Sequence, residues 1–148
     1  MKQSAAFYHG EGDNWLSRNR EKMGILNDPI MTAIVDLKIK PKKVLEIGCS
    51  IGWRLERIRS YYSDLNPETR CYGIDPSLHA IEEGKEMFHR LILLRRDAIN
   101  LPHRSWGGFD VIIFGFMLYV VDREDLFKIA YEADHFLKDG GHLIIHEF

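Results

Sequence analysis

The stretch Glu46-Ile47-Gly48-Cys49-Ser50-Ile51-Gly52 joins an acid in an apolar run to a turn of glycines and small residues. A turn of this kind between strand and helix lets the backbone approach a ligand closely and points amides at it. Glu46 is a signal in itself, because a buried unpaired carboxylate is costly. A bound ammonium group or backbone amides would resolve that cost. The dinucleotide fingerprint needs glycine at positions one, three and six; counted from Gly48, those positions hold Gly48, Ser50 and Trp53. That weakens a nicotinamide-dependent oxidoreductase. Metal chemistry finds no support. Cys49 and Cys71 have no zinc spacing and cannot form a disulfide framework. His142 and His146 share one face of a strand, but four residues of strand span about 13 Å. Cys49 reads as a small turn residue rather than a nucleophile. His146 is a candidate general base.

The elements that must hold these residues follow from apolar spacing. Lys43-Val44-Leu45-Glu46-Ile47, Cys71-Tyr72-Gly73-Ile74, Leu91-Ile92-Leu93-Leu94, Val111-Ile112-Ile113-Phe114 and 142–148 read as five strands. Between them lie helical stripes: Leu55, Ile58 and Tyr62; Ile81, Gly84 and Phe88; and Leu126, Ile129, Ala130, Ala133 and Leu137. A further helix starts at Asp28-Pro29, with Ile30, Ala33, Ile34 and Leu37 on its buried face. Asp122 is expected to cap the last helix, and Lys138-Asp139-Gly140-Gly141 to end it with a left-handed glycine. Alternation of strands and helices predicts an α/β fold with a doubly wound, mainly parallel sheet. Ligands on such sheets sit beyond the carboxyl ends of the strands. There the chain collects 48–52, Asp75, Asp97, Gly115, Phe116 and Glu147.

Composition bounds the partners. The 148 residues are 45% hydrophobic and 28% charged, with a net charge of −2 from 20 basic and 22 acidic residues. That balance gives no broad positive field, so nucleic acid is not an expected partner. The longest apolar run, 111–121, falls short of the roughly 20 residues a bilayer span takes. The first residues lack the apolar segment of a signal peptide. The expectation is a cytoplasmic domain away from membranes.

In family terms, Val44-Leu45-Glu46-Ile47-Gly48-Cys49-Ser50-Ile51-Gly52 resembles the first motif of class I S-adenosylmethionine-dependent methyltransferases, with Ser50 at the middle glycine. Tyr72-Gly73-Ile74-Asp75-Pro76-Ser77 resembles the second-strand motif, and Arg96-Asp97-Ala98-Ile99-Asn100-Leu101-Pro102 the third-strand exit. The run Phe109-Asp110-Val111-Ile112-Ile113-Phe114-Gly115-Phe116-Met117-Leu118-Tyr119 resembles the fourth-strand motif. Lys138-Asp139-Gly140-Gly141-His142-Leu143-Ile144-Ile145 resembles the entry into strand five. Together these cover residues 43–148.

The resemblance implies a Rossmann-like core of strand order 3-2-1-4-5, truncated after strand five, with S-adenosylmethionine as cofactor. It implies that the turn of Gly48, Cys49, Ser50 and Gly52 cradles an amino-acid tail whose ammonium Glu46 helps to hold. Asp75, with Pro76 beside it, would take the ribose hydroxyls, since a carboxylate offers two acceptor oxygens. Asp97 and Ala98 would meet the adenine, and Gly115 and Phe116 would face cofactor and acceptor. Tyr119 is a weaker candidate for contact with the acceptor.

Residues 1–27 form an arm of irregular character that the resemblance casts as a lid, and residues 28–148 the core. No Asn-Pro-Pro-Tyr string follows strand four, which turns expectation from adenine or amide methylation to a small-molecule or sugar-type acceptor. A non-catalytic cofactor-binding module is the alternative. With the sheet truncated after strand five, Leu143-Ile144-Ile145 would form an uncovered edge, which either a homodimer through strand five or the chain's own arm would cover.

Overall fold

Five strands flanked by helices set the architecture. The structure, a computed structural model, describes residues 2–24, 27–102 and 104–147. Met1, Ile25, Leu26, His103 and Phe148 lie outside the described residues, so the arm 1–27 and the strand 142–148 are described apart from those positions. The strands are β1 (Lys43–Ile47), β2 (Arg70–Asp75), β3 (Ile92–Arg95), β4 (Phe109–Gly115) and β5 (Leu137–His146). All pair in parallel, in the order β3-β2-β1-β4-β5. In β4 every residue but Gly115 is buried, which is why it reads as an unbroken apolar run.

Two helical layers cover the sheet. On one face α3 (Pro29–Asp36), α4 (Trp53–Tyr62) and α5 (Leu78–Met87) pack Ile34, Leu55, Ile58 and Ile81 against Val44, Cys71 and Val111. On the other, α6 (Leu126–Phe136) packs Ile129, Ala133 and Phe136 against Leu45, Ile112 and Phe114. Asp28 caps α3 by accepting the Ile30 amide at 3.2 Å, and Ser77 caps α5 by accepting the Ala80 amide at 3.0 Å. This is the doubly wound architecture expected from the sequence.

Four local expectations are corrected. α3 stops at Asp36 with Lys38 in the left-handed region (φ 55°), which turns Leu37 out to solvent and puts Ile39 in the core instead. α6 ends at Phe136 rather than at the glycines, because Leu137 already pairs with Phe109. The next register pair is Val111 with His142, so 138–141 loop out of β5 and Gly140 (φ 75°) serves that bulge. Ala130 is exposed, and Phe136 takes its place on the buried face.

The arm is helical rather than irregular. α1 (Gln3–Ala6) leads through a wide turn, Phe7–Glu11, kinked at His9 and Gly10, into α2 (Gly12–Asn19). Asp122 does not cap α6. Its carboxylate accepts the Gln3 and Ser4 amides, at 3.0 and 3.2 Å, and so fixes the start of the arm.

Candidate functional site

The turn after β1 is built on left-handed backbone. Gly48 has φ 80°, and a Cβ there would lie 2.8 Å from the Met117 Cβ, so only glycine allows this approach of the turn to the end of β4. Ser50 also sits in the left-handed region, at φ 51°. The glycine found there in the related motif is thus a conformational demand, which this chain meets with a strained serine. The Ser50 amide donates to Asp75 Oδ2 at 2.8 Å, and the Ser77 amide donates to Asp75 Oδ1 at 2.9 Å. One carboxylate therefore ties the turn after β1 to the turn after β2. Each of its oxygens keeps a second lone pair for a ligand. Burial pushes the Asp75 carboxyl up to about 6, against the two amides that favour its ionised form.

These residues open onto a cavity at the carboxyl end of the sheet, where ligands of such sheets sit. Of the residues singled out from sequence, Gly48, Ser50, Asp75, Pro76, Asp97, Ala98, Gly115, Phe116 and Tyr119 line it. Asp97 is half-buried and raised, by burial, above the ordinary carboxylate range. Phe116 holds a left-handed φ of 56°, costly for a bulky side chain. Its amide donates to the His146 carbonyl at 2.8 Å, and its ring packs 4.4 Å from the His146 ring.

Glu46, Cys49, Gly52 and His146 are not among the lining residues. Gly52 (φ 85°) precedes α4, where a Cβ would meet Leu91 at 2.8 Å. Cys49 is buried behind the turn, and burial raises its thiol well above the ordinary value. His146 supports Phe116, with its Nδ1 buried and unpartnered among the described residues. Glu46 turns away from the cavity toward Arg54. The Arg54 Nη1 donates to Glu46 Oε1, while its Nε donates to Asp28 Oδ2 at 2.8 Å. All three side chains are buried, and burial pushes Glu46 up to about 7 despite the guanidinium beside it. A guanidinium of the chain itself thus satisfies Oε1, while Oε2 is buried with no hydrogen-bond partner among the described residues.

Sequence reading missed Arg54, whose Nη1 would stand 2.5 Å from a Cβ on Gly115. Its signal was a long cation one position before the buried Leu55, available to the buried Glu46. It also missed Glu147 as a brace: Oε1 accepts the Met117 and Leu118 amides, each at 2.8 Å, and so holds the turn after β4.

The arm roofs this cavity. Ser4, Phe7, Gly12 and Trp15 line it from above. Leu16 is fully buried in a small cluster with Ile51 and Ala80. Arg95, at the end of β3, donates to the Tyr8 carbonyl at 2.5 Å and lies 3.9 Å over the Tyr8 ring. Arg20 makes a two-point ion pair with Glu83 of α5.

Parallel order 3-2-1-4-5, a left-handed turn after β1 and lining acids after β2 and β3 define a class I methyltransferase domain. The chain belongs to that family: residues 44–141 match the family described as Methyltransferase domain. No curated protein matches the chain. Among solved structures, the fold is shared with the plantazolicin methyltransferase BpumL in complex with a pentazolic desmethylPZN analog and SAH, at 19% identity and a TM-score of 0.74, over 98% of this chain and 56% of that one. A TehB-like SAM-dependent methyltransferase from Corynebacterium glutamicum is 21% identical, with a TM-score of 0.68 over 92% of this chain and 72% of that one. PKMT2 from Rickettsia typhi in complex with AdoHcy is 28% identical, with a TM-score of 0.60 over 68% of this chain and 19% of that one. The chain thus spans about half of BpumL and a fifth of PKMT2. Among the described residues no helix is long and apolar enough to cross a membrane, and no group of three or more His, Cys, Asp or Glu could hold a metal ion.

Proposed function

We propose that this domain binds S-adenosylmethionine in the cavity and promotes transfer of its methyl group to a small-molecule acceptor. The observation that carries the reading is Asp75: a half-buried carboxylate at the exit of β2, braced by two amides and lining the cavity beside Gly48 and Ser50. Its remaining lone pairs suit a vicinal diol, and Gly48 and Ser50 bring backbone within reach of an amino-acid tail. Asp97 and Ala98 supply a polar edge and an apolar floor for a purine. When bound, the cofactor supplies a sulfonium methyl open to in-line attack.

The chain's own contribution is positioning. Gly115, Phe116 and Met117 close the end of β4 against the cavity, and the arm limits access of water from above. The BpumL and PKMT2 structures, which hold SAH and AdoHcy, support the cofactor class. Residues 1–27 act as the lid on this reading. Two buried free thiols, Cys49 and Cys71, suit the reducing cytoplasm as its location.

Calorimetry with S-adenosylhomocysteine tests the reading. Binding is expected, and Asp75→Ala should weaken it by roughly ten- to a hundred-fold, the effect of one charged hydrogen bond. Absence of binding by the native chain, or an unchanged affinity in the variant, would overturn it. A second copy is proposed to associate through β5, where Leu143 and Ile145 are 40% and 52% exposed. Sedimentation showing a monomer independent of concentration would refute that association.

A further inference from the structure

We infer that Asp125 anchors the acceptor, and that the acceptor is a mostly apolar small molecule carrying a hydroxyl or amino donor. The inference rests on reading the cavity as a methyl-transfer site. The cavity walls come from two sets of elements. The exits of β1, β2 and β3 supply Gly48, Ser50, Asp75 and Asp97, which the cofactor reading uses. The arm, the segment after β4 and α6 supply Phe7, Trp15, Val120, Val121, Asp125 and Ile129, which it does not.

Polar groups on this second wall have partners within the chain. The Ser4 hydroxyl donates to Asp122 at 3.2 Å, and the Trp15 indole N–H donates to the Tyr119 hydroxyl at 3.0 Å. Asp125 differs. Its Oδ2 is buried, with no hydrogen-bond partner among the described residues. Lys2, the cation whose charge acts on Asp125, has its ammonium bonded to Glu124. An ionised carboxylate only accepts, so the missing partner is a donor. The residue as a whole is half-buried, but an acceptor oxygen buried without a donor is costly, and a ligand N–H or O–H would remove that cost. The rest of this wall is aromatic and aliphatic. A sugar ring would strip water from several hydroxyls there and meet one unpartnered buried acceptor, whereas an apolar body with a single donor matches it.

The test is a ligand-observed titration of the full chain, with and without S-adenosylhomocysteine, using benzyl alcohol, benzylamine, toluene and methyl glucoside as probes. Benzyl alcohol or benzylamine should bind roughly tenfold or more tightly than toluene, the size of a hydrogen bond to a charged group. Asp125→Leu should abolish that preference and leave toluene and S-adenosylhomocysteine affinities within about twofold. Asp125→Asn, which keeps the shape, provides the same comparison should the leucine variant fold poorly. Equal binding of the aromatic probes by the native chain, or tighter binding of methyl glucoside, overturns the inference. So does a parallel loss of S-adenosylhomocysteine affinity in the Asp125 variants, which would place the residue in the cofactor pocket. A native chain that binds no S-adenosylhomocysteine refutes the proposed function, and the probe preference without it then stands or falls separately.

Discussion

The indole N–H of Trp15 donates to the Tyr119 hydroxyl at 3.0 Å, across 104 positions of sequence. Trp15 belongs to α2 and Tyr119 to the segment after β4, so this bond joins the roof of the cavity to its wall. Tyr119, singled out from sequence as a candidate acceptor contact, thereby ties the arm to the segment after β4. Trp15→Phe and Tyr119→Phe should each speed release of S-adenosylhomocysteine by roughly two- to ten-fold, the range of one neutral hydrogen bond. The double variant should lose no more than either single one. Stopped-flow dissociation measures this; additive effects would show that the two side chains act independently.

Ser50 offers a stability test. A left-handed conformation costs an L-residue about 1–2 kcal/mol, and glycine returns about 0.5–1 kcal/mol of that in unfolded-state entropy. Ser50→Gly keeps the amide that bonds Asp75 and loses a 3.8 Å contact to the Met23 sulfur. A gain of up to about 1 kcal/mol is expected, a rise in Tm of roughly 2–4 °C. Calorimetric melting decides it. A lower Tm would assign the hydroxyl a stabilising role that exceeds the backbone strain.

The sheet and most of the cavity floor were legible because their signals are local. Apolar runs gave the strands, Asp28 gave a helix start, and strand ends gave Asp75 and Asp97. The arm was not legible, since α1 and α2 are short and show no sustained apolar period. Asp122 was misassigned for a related reason. A carboxylate before a helix reads as that helix's cap, yet the amides it accepts belong to residues 118 and 119 positions away. Glu46 was recognised as a buried acid in need of a partner. Arg54 partners its Oε1, a contact no local signal gave, and its Oε2 has no hydrogen-bond partner among the described residues.

The raised Asp75 carboxyl gives cofactor affinity a pH dependence. Its folded value of about 6 exceeds the ordinary 3.8, so the folded chain holds this proton more tightly than the unfolded chain does. The ionised form therefore costs stability, a cost absent below about 3.8 and complete above about 6. A diol donates to that ionised form. S-adenosylhomocysteine affinity should consequently fall as pH drops through about 6, approaching tenfold per pH unit, and Asp75→Asn should bind weakly with that step missing. Calorimetry between pH 5 and 8 shows this; an identical slope in the variant would exclude Asp75 as its source.

Arg54 carries the largest predicted loss. It stands between Glu46 and Asp28, and the three residues are 6%, 2% and 5% exposed. Arg54→Met keeps much of the apolar stem but leaves two buried carboxylates without their shared cation. Breaking a buried pair in this way costs about 3–5 kcal/mol. The pH dependence fixes the cause. Glu46 already sits near 7 because burial outweighs the guanidinium, and without that cation it must rise further. A raised carboxyl adds stability through its protonated form, fully present below the ordinary 4.5 and lost as pH climbs through the folded value. The variant should therefore be hurt most at pH 8 and recover part of the loss at pH 5.5, where Glu46 is neutral. Urea denaturation at the two pH values measures both numbers. An equal loss at each would mean that packing of the guanidinium against Trp53 and Gly115, rather than its charge, holds this side of the fold together.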